Sequence, residues 1–294
     1  MQIVLISGLS GSGKSIVLNV LEDAGHYAVD NLPAALLPQL IAHLNAIGYQ
    51  RVAVAVDVRS GSSIAALPQQ IEALRNIVDD LRMIFLEARD DTLIARFSET
   101  RRRHPLADEG VSLEEAIRLE REALGPISEY GLRVDTSDLH PNTLRAWVKD
   151  FIEVSASEGL TLMFQSFGFK YGIPMDADLV FDVRCLPNPY YDARLRPLTG
   201  RDKPVIEFLE KIPEVGLMVE DIHRFVANWL PTYIRDNRSY LTVAVGCTGG
   251  QHRSVYVAER LAERFADDMQ VIVRHRSAVR RSLDKQQNHE NIKT

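Results

Sequence analysis

Cysteine is scarce in this chain of 294 residues, which contains only Cys185 and Cys247. Two cysteines cannot form the disulfide framework of a small secreted domain, and they lack the paired spacing of a zinc site. No uninterrupted apolar run approaches the roughly 18 residues of a membrane span, and no basic segment precedes the apolar run at the start. We therefore expect a cytoplasmic protein in a reducing compartment, with no membrane partner.

A strong excess of positive charge is absent as well. The chain has 34 Lys and Arg against 40 Asp and Glu, a net charge of −6, which excludes a strongly basic nucleic-acid binder of the histone type. The acidity is confined to the first half, because residues 1–154 have a net charge of −7 and residues 155–294 a net charge of +1. This asymmetry indicates a division of labour between the two halves.

The composition, 46% hydrophobic and 25% charged, is that of an ordinary folded protein, and the length leaves room for two domains of about 100–200 residues each. In the first half, apolar runs alternate with amphipathic stretches, which predicts a parallel α/β sheet. The predicted strands are Ile3–Ile6, Val52–Val58, Met83–Leu86 and Leu132–Asp135. The predicted helices are Ser15–Ala24, Ala34–Ile47, Ile64–Leu81, Asp91–Arg103, Leu113–Leu124 and Asn142–Ser155.

Small and polar residues interrupt the pattern at residues 155–159, where we place a linker between domains of residues 1–154 and 160–281. The second, smaller domain is again predicted to be α/β. Its predicted strands are Leu160–Phe164, Leu179–Val183, Leu241–Val245 and Gln270–Val273, and its predicted helices are Val205–Leu209, Met218–Tyr233 and Ser254–Ala266. The alternating aromatics Phe164, Phe167, Phe169 and Tyr171 favour a half-buried strand, and polar residues 282–294 predict a disordered tail.

The strongest motif is a phosphate-binding loop of the form G-x-x-x-x-G-K-S. It comprises Gly8, Leu9, Ser10, Gly11, Ser12, Gly13, Lys14 and Ser15. A predicted strand precedes it and a predicted helix follows it, which is the order that lets backbone N–H groups and a helix start face an anion. Lys14 would reach the β and γ phosphates and Ser15 would hold Mg²⁺, so these two residues are the predicted catalytic groups.

Several charged residues could complete a nucleotide site. Asp30, Asp57 and Glu87 each follow an apolar run, where an acid could support Mg²⁺, and the sequence does not rank them. Such an acid can equally be a helix cap. Arg96 and the run at 101–103 could close over phosphates as a lid, although an exposed basic helix face is the commoner explanation.

A second loop between a strand and a helix runs from Cys247 to Ser254 and predicts another anion site. Cys247 and Arg253 have the C-x5-R spacing by which cysteine phosphatases place a thiolate beneath an arginine-held phosphate. Gly246 stands where that class normally has a histidine, and no aspartate can be assigned as the general acid. A non-catalytic phosphate pocket and phosphatase chemistry therefore both remain open at this point.

Basic residues also occur beyond the last predicted helix. Arg274, Arg276, Arg280 and Arg281 form a cluster beside the predicted tail, which suits contact with the phosphate backbone of RNA. Four arginines make only a few phosphate contacts, so RNA binding would need more of the surface or several subunits. A solvated chain end is the simpler explanation of such a cluster.

Taken together, these motifs resemble the RapZ/YvcJ family of bacterial nucleotide-binding proteins, also called RNase adapter proteins. The matching segments, which extend to about residue 276, are Gly8–Ser15, Val29–Pro33, Asp57–Arg59, Phe164–Phe169, Phe181–Arg184, Leu186–Pro189, Gly246–Gly250 and His252–Ser254. A set of spaced motifs of this kind is far more specific than a single P-loop.

The resemblance implies a P-loop kinase-like domain that binds ATP and GTP and hydrolyses them weakly. It assigns Asp57, Val58, Arg59 and Ser60 to GTP, with Ser60 standing where Asn is common in the family. For the second domain it implies a sugar-phosphate-binding fold that takes glucosamine-6-phosphate. We assign that ligand to Arg184, Cys247, Thr248, Gly249, Gly250, His252, Arg253 and Ser254.

The resemblance further implies a regulatory role in amino-sugar synthesis, as a metabolite sensor and an RNA-binding adapter for an RNase, in a homo-oligomer. The segment Ser277–Asp284 departs from the compact Lys/Arg-rich ending of the RNA-binding members. Two other functions stay open from the residues alone. One is a small-molecule kinase whose first domain phosphorylates a metabolite held by the second, and the other is the cysteine phosphatase.

Overall fold

A computed structural model of the chain describes residues 1–75, 77–107, 110–153, 160–236 and 238–276. The chain divides into two compact units, before and after residue 156. The predicted linker and the predicted tail at 282–294 lie outside the described residues, as do Arg280 and Arg281. In the part of the chain that the structure describes, no helix combines the length and apolar character needed to span a membrane.

The first unit is a parallel sheet of five strands in the order β2-β3-β1-β4-β5. The strands are β1 (Gln2–Gly8), β2 (Tyr27–Val29), β3 (Arg51–Ala55), β4 (Asp80–Glu87) and β5 (Leu132–Asp135). The helices are α1 (Lys14–Asp23), α2 (Leu37–Ala46), α3 (Leu67–Arg75), α4 (Asp90–Thr100), α5 (Leu113–Ser128) and α6 (Pro141–Glu153). Because β1 is central and buried, the loop that follows it lies in the middle of the carboxyl edge of the sheet, where ligands bind in open α/β sheets.

Three details of the first unit differ from the sequence prediction. Strand β2 was not predicted, since its three residues are too few to show a periodicity. The strand predicted over Val52–Val58 ends at Ala55, because Asp57 caps a 3-10 segment that begins at Val58. The helix predicted over Ile64–Leu81 is only α3, with a proline in its first turn, and β4 already begins at Asp80.

The second unit is a parallel sheet of four strands in the order β7-β8-β6-β9. The strands are β6 (Thr161–Gly168), β7 (Leu179–Asp182), β8 (Tyr240–Cys247) and β9 (Val271–His275). The helices are α7 (Lys203–Glu210), α8 (Pro213–Arg235) and α9 (Arg253–Phe265). The predicted fold class, a P-loop parallel α/β domain followed by a second α/β domain, is therefore confirmed.

The prediction that the aromatic segment forms a half-buried strand is wrong. All eight residues of β6 are buried, because the strand lies between β8 and β9 and is covered on both faces. On one face the ring of Phe164 packs against that of Phe265 of α9 in a tilted arrangement, with ring centroids 5.7 Å apart. On the other face Gln165 donates to Asp176 over 3.1 Å. The strand ends at Gly168, and Phe169 to Tyr171 form a 3-10 turn.

Candidate functional sites

The predicted P-loop connects β1 to α1 as the motif requires. Gly8, Gly11 and Gly13 all adopt positive φ, at 136°, 84° and 109°. A Cβ on Gly8 would lie 2.0 Å from the carbonyl oxygen of Leu86 in β4, so only glycine allows the loop to leave the sheet this closely. Gly13 is the N-cap of α1, which places the helix start directly after the loop.

Lys14 folds back over the P-loop. Its Nζ donates to the carbonyl oxygens of Gly8 at 2.6 Å and Leu9 at 3.2 Å. Burial lowers the pKa of the Lys14 amine, while the negative charges of Glu120, Asp57 and Asp30 act in the opposite direction. Lys14 is half-buried and Ser15 is exposed. The loop therefore presents a cation and a hydroxyl at the start of α1.

Glu120 of α5, a residue that the sequence prediction missed, anchors the P-loop through hydrogen bonds. Its two carboxylate oxygens accept the backbone N–H and the Oγ–H of Ser10, each at 2.8 Å, and the carboxylate is completely buried. His104 contacts the same carboxylate through Nε2 at 3.0 Å. His104 Nδ1 accepts the N–H of Leu106 at 3.1 Å, which leaves Nε2 as the ring nitrogen that donates to the carboxylate.

The protonation state of Glu120 follows from these contacts. Burial acts to raise the pKa of its carboxyl, but the hydrogen bond from His104, the charge of Lys14 and the two donors of Ser10 outweigh it and lower the pKa. Glu120 is therefore an ionised carboxylate inside the unit, and its charge is balanced by donors that belong to or adjoin the P-loop.

Arg96 and Thr136 hold the P-loop from a second side. Arg96 Nη1 donates to the carbonyl oxygen of Gly11 at 3.0 Å, and Nη2 donates to the carbonyl oxygen of Thr136 at 2.7 Å. The hydroxyl of Thr136 donates to the carbonyl oxygen of Ser12 at 2.9 Å. Arg96 therefore braces the backbone of the loop, and only residues 101–103 of the predicted lid are exposed.

The structure separates the three acids that the sequence left unranked. Asp57 is buried and Asp30 is exposed, and the charges of both act on Lys14. Glu87, at the end of β4, instead pairs with Arg133 at 2.8 Å and with Arg121 at 3.8 Å. Asp57 and Asp30 thus belong to the electrostatic surroundings of the P-loop lysine, whereas Glu87 is engaged by arginines.

The segment expected to contact GTP begins at Asp57. Its Oδ1 accepts the backbone N–H of Arg59 at 3.0 Å and caps the 3-10 segment that includes Val58, Arg59 and Ser60. Arg59 Nη1 donates to Asn31 Oδ1 at 3.3 Å, so this segment adjoins the turn after β2. Asn31 in that turn has a positive φ of 54°.

The Mg²⁺ expected at the P-loop would have few protein ligands. In the described residues no group of three or more His, Cys, Asp or Glu could hold a metal ion. The exposed hydroxyl of Ser15 and the buried carboxylate of Asp57 offer oxygens of the type that Mg²⁺ takes, and this ion needs only one or two of them beside phosphates because it keeps several waters.

The second anion loop, Cys247 to Ser254, connects the end of β8 to the start of α9. It lies in close contact with neighbouring backbone and rings. A Cβ on Gly246 would lie 2.5 Å from the rings of both Phe167 and Phe169, and a Cβ on Gly168 would lie 2.7 Å from the carbonyl carbon of Gly249. The position before Cys247 therefore has no room for the histidine that is usual in cysteine phosphatases.

Cys247 lies at the base of this loop. Its Sγ accepts the backbone N–H of Gly250 at 3.2 Å and lies 3.2 Å from Ser254 Oγ. Burial acts to raise the pKa of the thiol, but hydrogen bonds from the Ser254 hydroxyl and from backbone N–H groups of Ser254, Gln251 and Gly250 outweigh it and lower the pKa. The other cysteine, Cys185, is exposed.

Arg253 begins α9 and is only 4% exposed. Its Nη1 donates to the carbonyl oxygens of Arg184 and Leu186, both at 2.8 Å, and its Nη2 lies 3.5 Å from Thr248 Oγ1. Within the described residues, Nε of Arg253 has no hydrogen-bond partner. The guanidinium is thus fixed along one edge, while the Nε–Nη2 edge lies beside the loop.

The other predicted residues of this site surround the loop. His252 is buried and its Nε2 lies 3.1 Å from the carbonyl oxygen of Leu195. Arg184 is exposed, pairs with both carboxylate oxygens of Asp182 and lies over the ring of Phe169 at 4.0 Å from the centroid. Thr248 and Gly249 lie in the loop itself, and Gly250 has a positive φ of 66°.

Two of the four arginines expected to contact RNA are not on the surface. Arg274 lies in β9, and its Nη1 pairs with Asp176 Oδ2 at 3.0 Å. Asp176 is 1% exposed and Arg276 is 7% exposed. The ion pair engages Arg274 and burial encloses Arg276, so neither side chain is part of a solvated chain end, and RNA contact by these two residues stays a prediction.

The fold and the two loops define a two-domain protein with a P-loop in the first domain and a separate anion-type loop in the second. Residues 1–155 match the family model described as the RapZ-like N-terminal domain, and residues 160–279 match that described as the RapZ C-terminal domain. The chain belongs to the RapZ family, and the family resemblance drawn from the sequence is confirmed.

Relatives with similar sequences cover almost the whole chain. A protein of Azoarcus sp. (strain BH72) is 79% identical over 97% of both chains, and one of Dechloromonas aromatica (strain RCB) is 60% identical over 94% of this chain and 99% of its own. Both are named nucleotide-binding proteins.

Solved structures similar to part of the chain include a sugar kinase from Janibacter sp. HTCC2649 and a shikimate kinase from Bacteroides thetaiotaomicron. The sugar kinase is 17% identical, with a TM-score of 0.36, and the match covers 52% of this chain and 95% of the kinase. The shikimate kinase is 12% identical, with a TM-score of 0.35, and the match covers 52% of this chain and 97% of the kinase.

Proposed function

We propose that this chain is a regulatory nucleotide-binding protein whose first domain binds ATP and GTP with Mg²⁺ and hydrolyses them weakly. The observation that carries the proposal is the P-loop, with three glycines at positive φ, the N-terminus of α1 and the amine of Lys14 at one point. Backbone N–H groups and a helix start bind phosphate, and the lysine supplies the charge that reaches the outer phosphates.

Lys14→Ala tests this site. We expect the affinity for ATP, measured by calorimetry on the full chain, to fall by about 100-fold or more, because the outer phosphates lose a charge-assisted contact. Lys149→Ala is the matched control, since Lys149 is an exposed lysine in the same domain. Equal affinities of both variants and the unsubstituted protein would contradict the assignment.

We assign the remaining groups of this site to Mg²⁺ binding and to recognition of the nucleobase. Ser15 would hold Mg²⁺ through its hydroxyl and Asp57 would support it, and the ion would supply charge neutralisation at the phosphates. We propose that the segment from Asp57 to Ser60 contacts guanine. Arg59→Ala should lower the affinity for GTP more than the affinity for ATP. Equal losses of affinity for the two nucleotides would show that this segment does not recognise guanine.

For the second domain we propose binding of a phosphorylated amino sugar, glucosamine-6-phosphate, at the second anion loop. Support comes from the Nε–Nη2 edge of Arg253, the loop glycines and the family to which the chain belongs. Calorimetry with glucosamine-6-phosphate, glucosamine and inorganic phosphate tests this. We expect the phosphorylated sugar to bind more tightly than either fragment, and binding of glucosamine alone would contradict a phosphate-directed site.

We further propose that the protein acts in a homo-oligomer as an RNA-binding adapter for an RNase in amino-sugar regulation. This proposal comes from the family resemblance alone. Since Arg274 is held in an ion pair with Asp176 and Arg276 is buried, we propose that RNA contacts come from Arg280 and Arg281, together with arginines that are exposed in the described part of the chain. A cytoplasmic location stays a prediction.

A further inference from the structure

The surroundings of Cys247 are those of a thiolate. A cysteine that only fills space in a core needs no hydrogen-bond donors, yet Sγ accepts the N–H of Gly250 and lies within 3.2 Å of the hydroxyl of Ser254. Such donors stabilise the charged form, as the lowered pKa of this thiol reflects. Cys247 is 3% exposed, so its Sγ lies at the bottom of the loop.

The contacts of Arg253 are a second, independent indication that this loop binds a phosphoryl group. Its Nη1 is anchored by two carbonyl oxygens at 2.8 Å, while Nε has no hydrogen-bond partner in the described part of the chain and Nη2 has only a 3.5 Å contact with Thr248. A buried donor without a partner is destabilising, because it has lost its hydrogen bonds to water without replacing them. The two parallel N–H groups of this edge match two oxygens of a phosphoryl group, which would satisfy both.

We propose that the second anion loop catalyses phosphoryl transfer through Cys247, with a phosphomonoester held on the Nε–Nη2 edge of Arg253. The thiolate attacks phosphorus, so an S–P bond forms while the bond from phosphorus to the ester oxygen breaks and its electron pair leaves on that oxygen. Water then attacks phosphorus, the S–P pair returns to Sγ, and the proton of the water goes to solvent. The net reaction is hydrolysis of the phosphate to its leaving group, which departs as an anion, and inorganic phosphate.

The neighbouring acid limits the substrate class. Asp182 lies within the electrostatic reach of Arg253, but its hydrogen bonds with Arg184 lower the pKa of its carboxyl, so at neutral pH it is a carboxylate and cannot protonate a leaving oxygen. The leaving group must therefore depart as a stable anion, as in aryl or acyl phosphates. An alkyl sugar phosphate would bind at the same loop and stay intact, so this activity goes beyond the proposed sensor function and does not require it.

The test uses the full chain with p-nitrophenyl phosphate. We expect slow hydrolysis, a phosphate adduct on Cys247 in acid-quenched samples by mass spectrometry, and a loss in kcat/KM of at least about 100-fold in Cys247→Ser. Cys185→Ser removes the exposed cysteine of the same domain and should retain full activity. The adduct is measured on Cys247 in the Cys185→Ser protein, so this readout does not depend on the folding of the Cys247→Ser variant.

The outcomes are distinct from those of the sensor proposal. No hydrolysis and no adduct, or equal hydrolysis by Cys247→Ser, would overturn the covalent step even if glucosamine-6-phosphate binds by calorimetry. Hydrolysis that depends on Cys247 without any binding of the amino sugar would support the covalent step and overturn the sensor. Arg253→Lys should raise KM for p-nitrophenyl phosphate, since lysine cannot form the two parallel bonds.

Discussion

The P-loop and the second anion loop share a backbone plan and differ in how they hold positive charge. Each follows a buried strand of a parallel sheet and ends at the start of a helix. In the P-loop the cation is the half-buried Lys14, on a flexible stem that folds back onto its own loop. In the second loop it is Arg253, buried and fixed by two carbonyl oxygens.

The supporting contacts differ in the same sense. The P-loop is braced from elsewhere in the chain, by Glu120 and Arg96, and its cation is hydrogen-bonded to carbonyl oxygens of the loop itself. The second loop is braced by close packing of Gly246 against the rings of Phe167 and Phe169 and of Gly168 against the backbone of Gly249, and its cation is already in place. We infer that a point charge on a flexible stem suits phosphates of variable position, whereas a fixed planar guanidinium suits a single phosphoryl group.

The largest effect is expected for the support of the P-loop. Glu120→Ala leaves the N–H and hydroxyl of Ser10 and the ring of His104 without their buried carboxylate, which should lower the free energy of unfolding by about 3–5 kcal/mol. Denaturant titration measures it. Glu122→Ala on the same helix is the control, because that side chain is 62% exposed and should cost less than about 0.5 kcal/mol.

If Glu120→Ala and Glu122→Ala have the same stability, the P-loop is not held by the buried carboxylate. The contrast between a loop braced from outside and a loop packed against its own sheet would then be lost.

The next effect concerns the fixed guanidinium of the second loop. Arg253→Lys keeps the charge and loses the parallel pair of donors, so we expect affinity for glucosamine-6-phosphate to fall by about tenfold or more. Arg194→Lys, at a side chain that is 88% exposed, should change it little. Full affinity in Arg253→Lys would show that a point charge is enough in this loop too.

The pH dependence of stability should test whether the charge of the Glu120 carboxylate supports the P-loop. The pKa of Glu120 in the folded chain lies below its ordinary value of 4.5, so its stabilising effect is complete above that value and is lost as the pH falls through the folded pKa. The difference in unfolding free energy between the unsubstituted protein and Glu120→Gln should therefore be largest near neutral pH and shrink below about pH 4.5. A difference that is constant from pH 7 to pH 3 would mean that the carboxylate charge has no role.

The smallest effect is expected in RNA binding. Replacing both Arg280 and Arg281 with Gln should weaken binding a few-fold and reduce the slope of log affinity against log salt by about 2. Arg274→Gln should instead lower thermal stability, because it breaks the buried pair with Asp176. An Arg274→Gln protein of normal stability with a reduced salt slope would reverse this assignment.

The contiguous parts of both sites could be predicted from the sequence, because strand, glycines and basic residue follow one another within a few positions. The partners that brace them could not be predicted. Glu120 is 110 residues from Ser10, and Asp176 is 98 residues from Arg274. No local pattern marks such a residue, since Glu120 lies on a helix with several other acids and Arg274 on a strand whose burial depends on its place in the sheet.

The fold shows the same limit. Long apolar runs such as β4 were predicted with small errors at their ends, and the three-residue β2 was missed. The aromatic segment was predicted as half-buried because alternating aromatic and polar residues are typical of a strand with one solvent-exposed face. Strand β6 instead has a neighbouring strand on each side, and both of its faces are covered.

The central claim is that the two loops are separate anion sites, and one calorimetric experiment on the full chain tests it. ATP and glucosamine-6-phosphate are each titrated into the unsubstituted protein, Lys14→Ala and Arg253→Lys. We predict that Lys14→Ala no longer binds ATP but binds the sugar phosphate with unchanged affinity. We predict that Arg253→Lys binds ATP with unchanged affinity and binds the sugar phosphate more weakly. Loss of both ligands from either stably folded variant would contradict two independent sites.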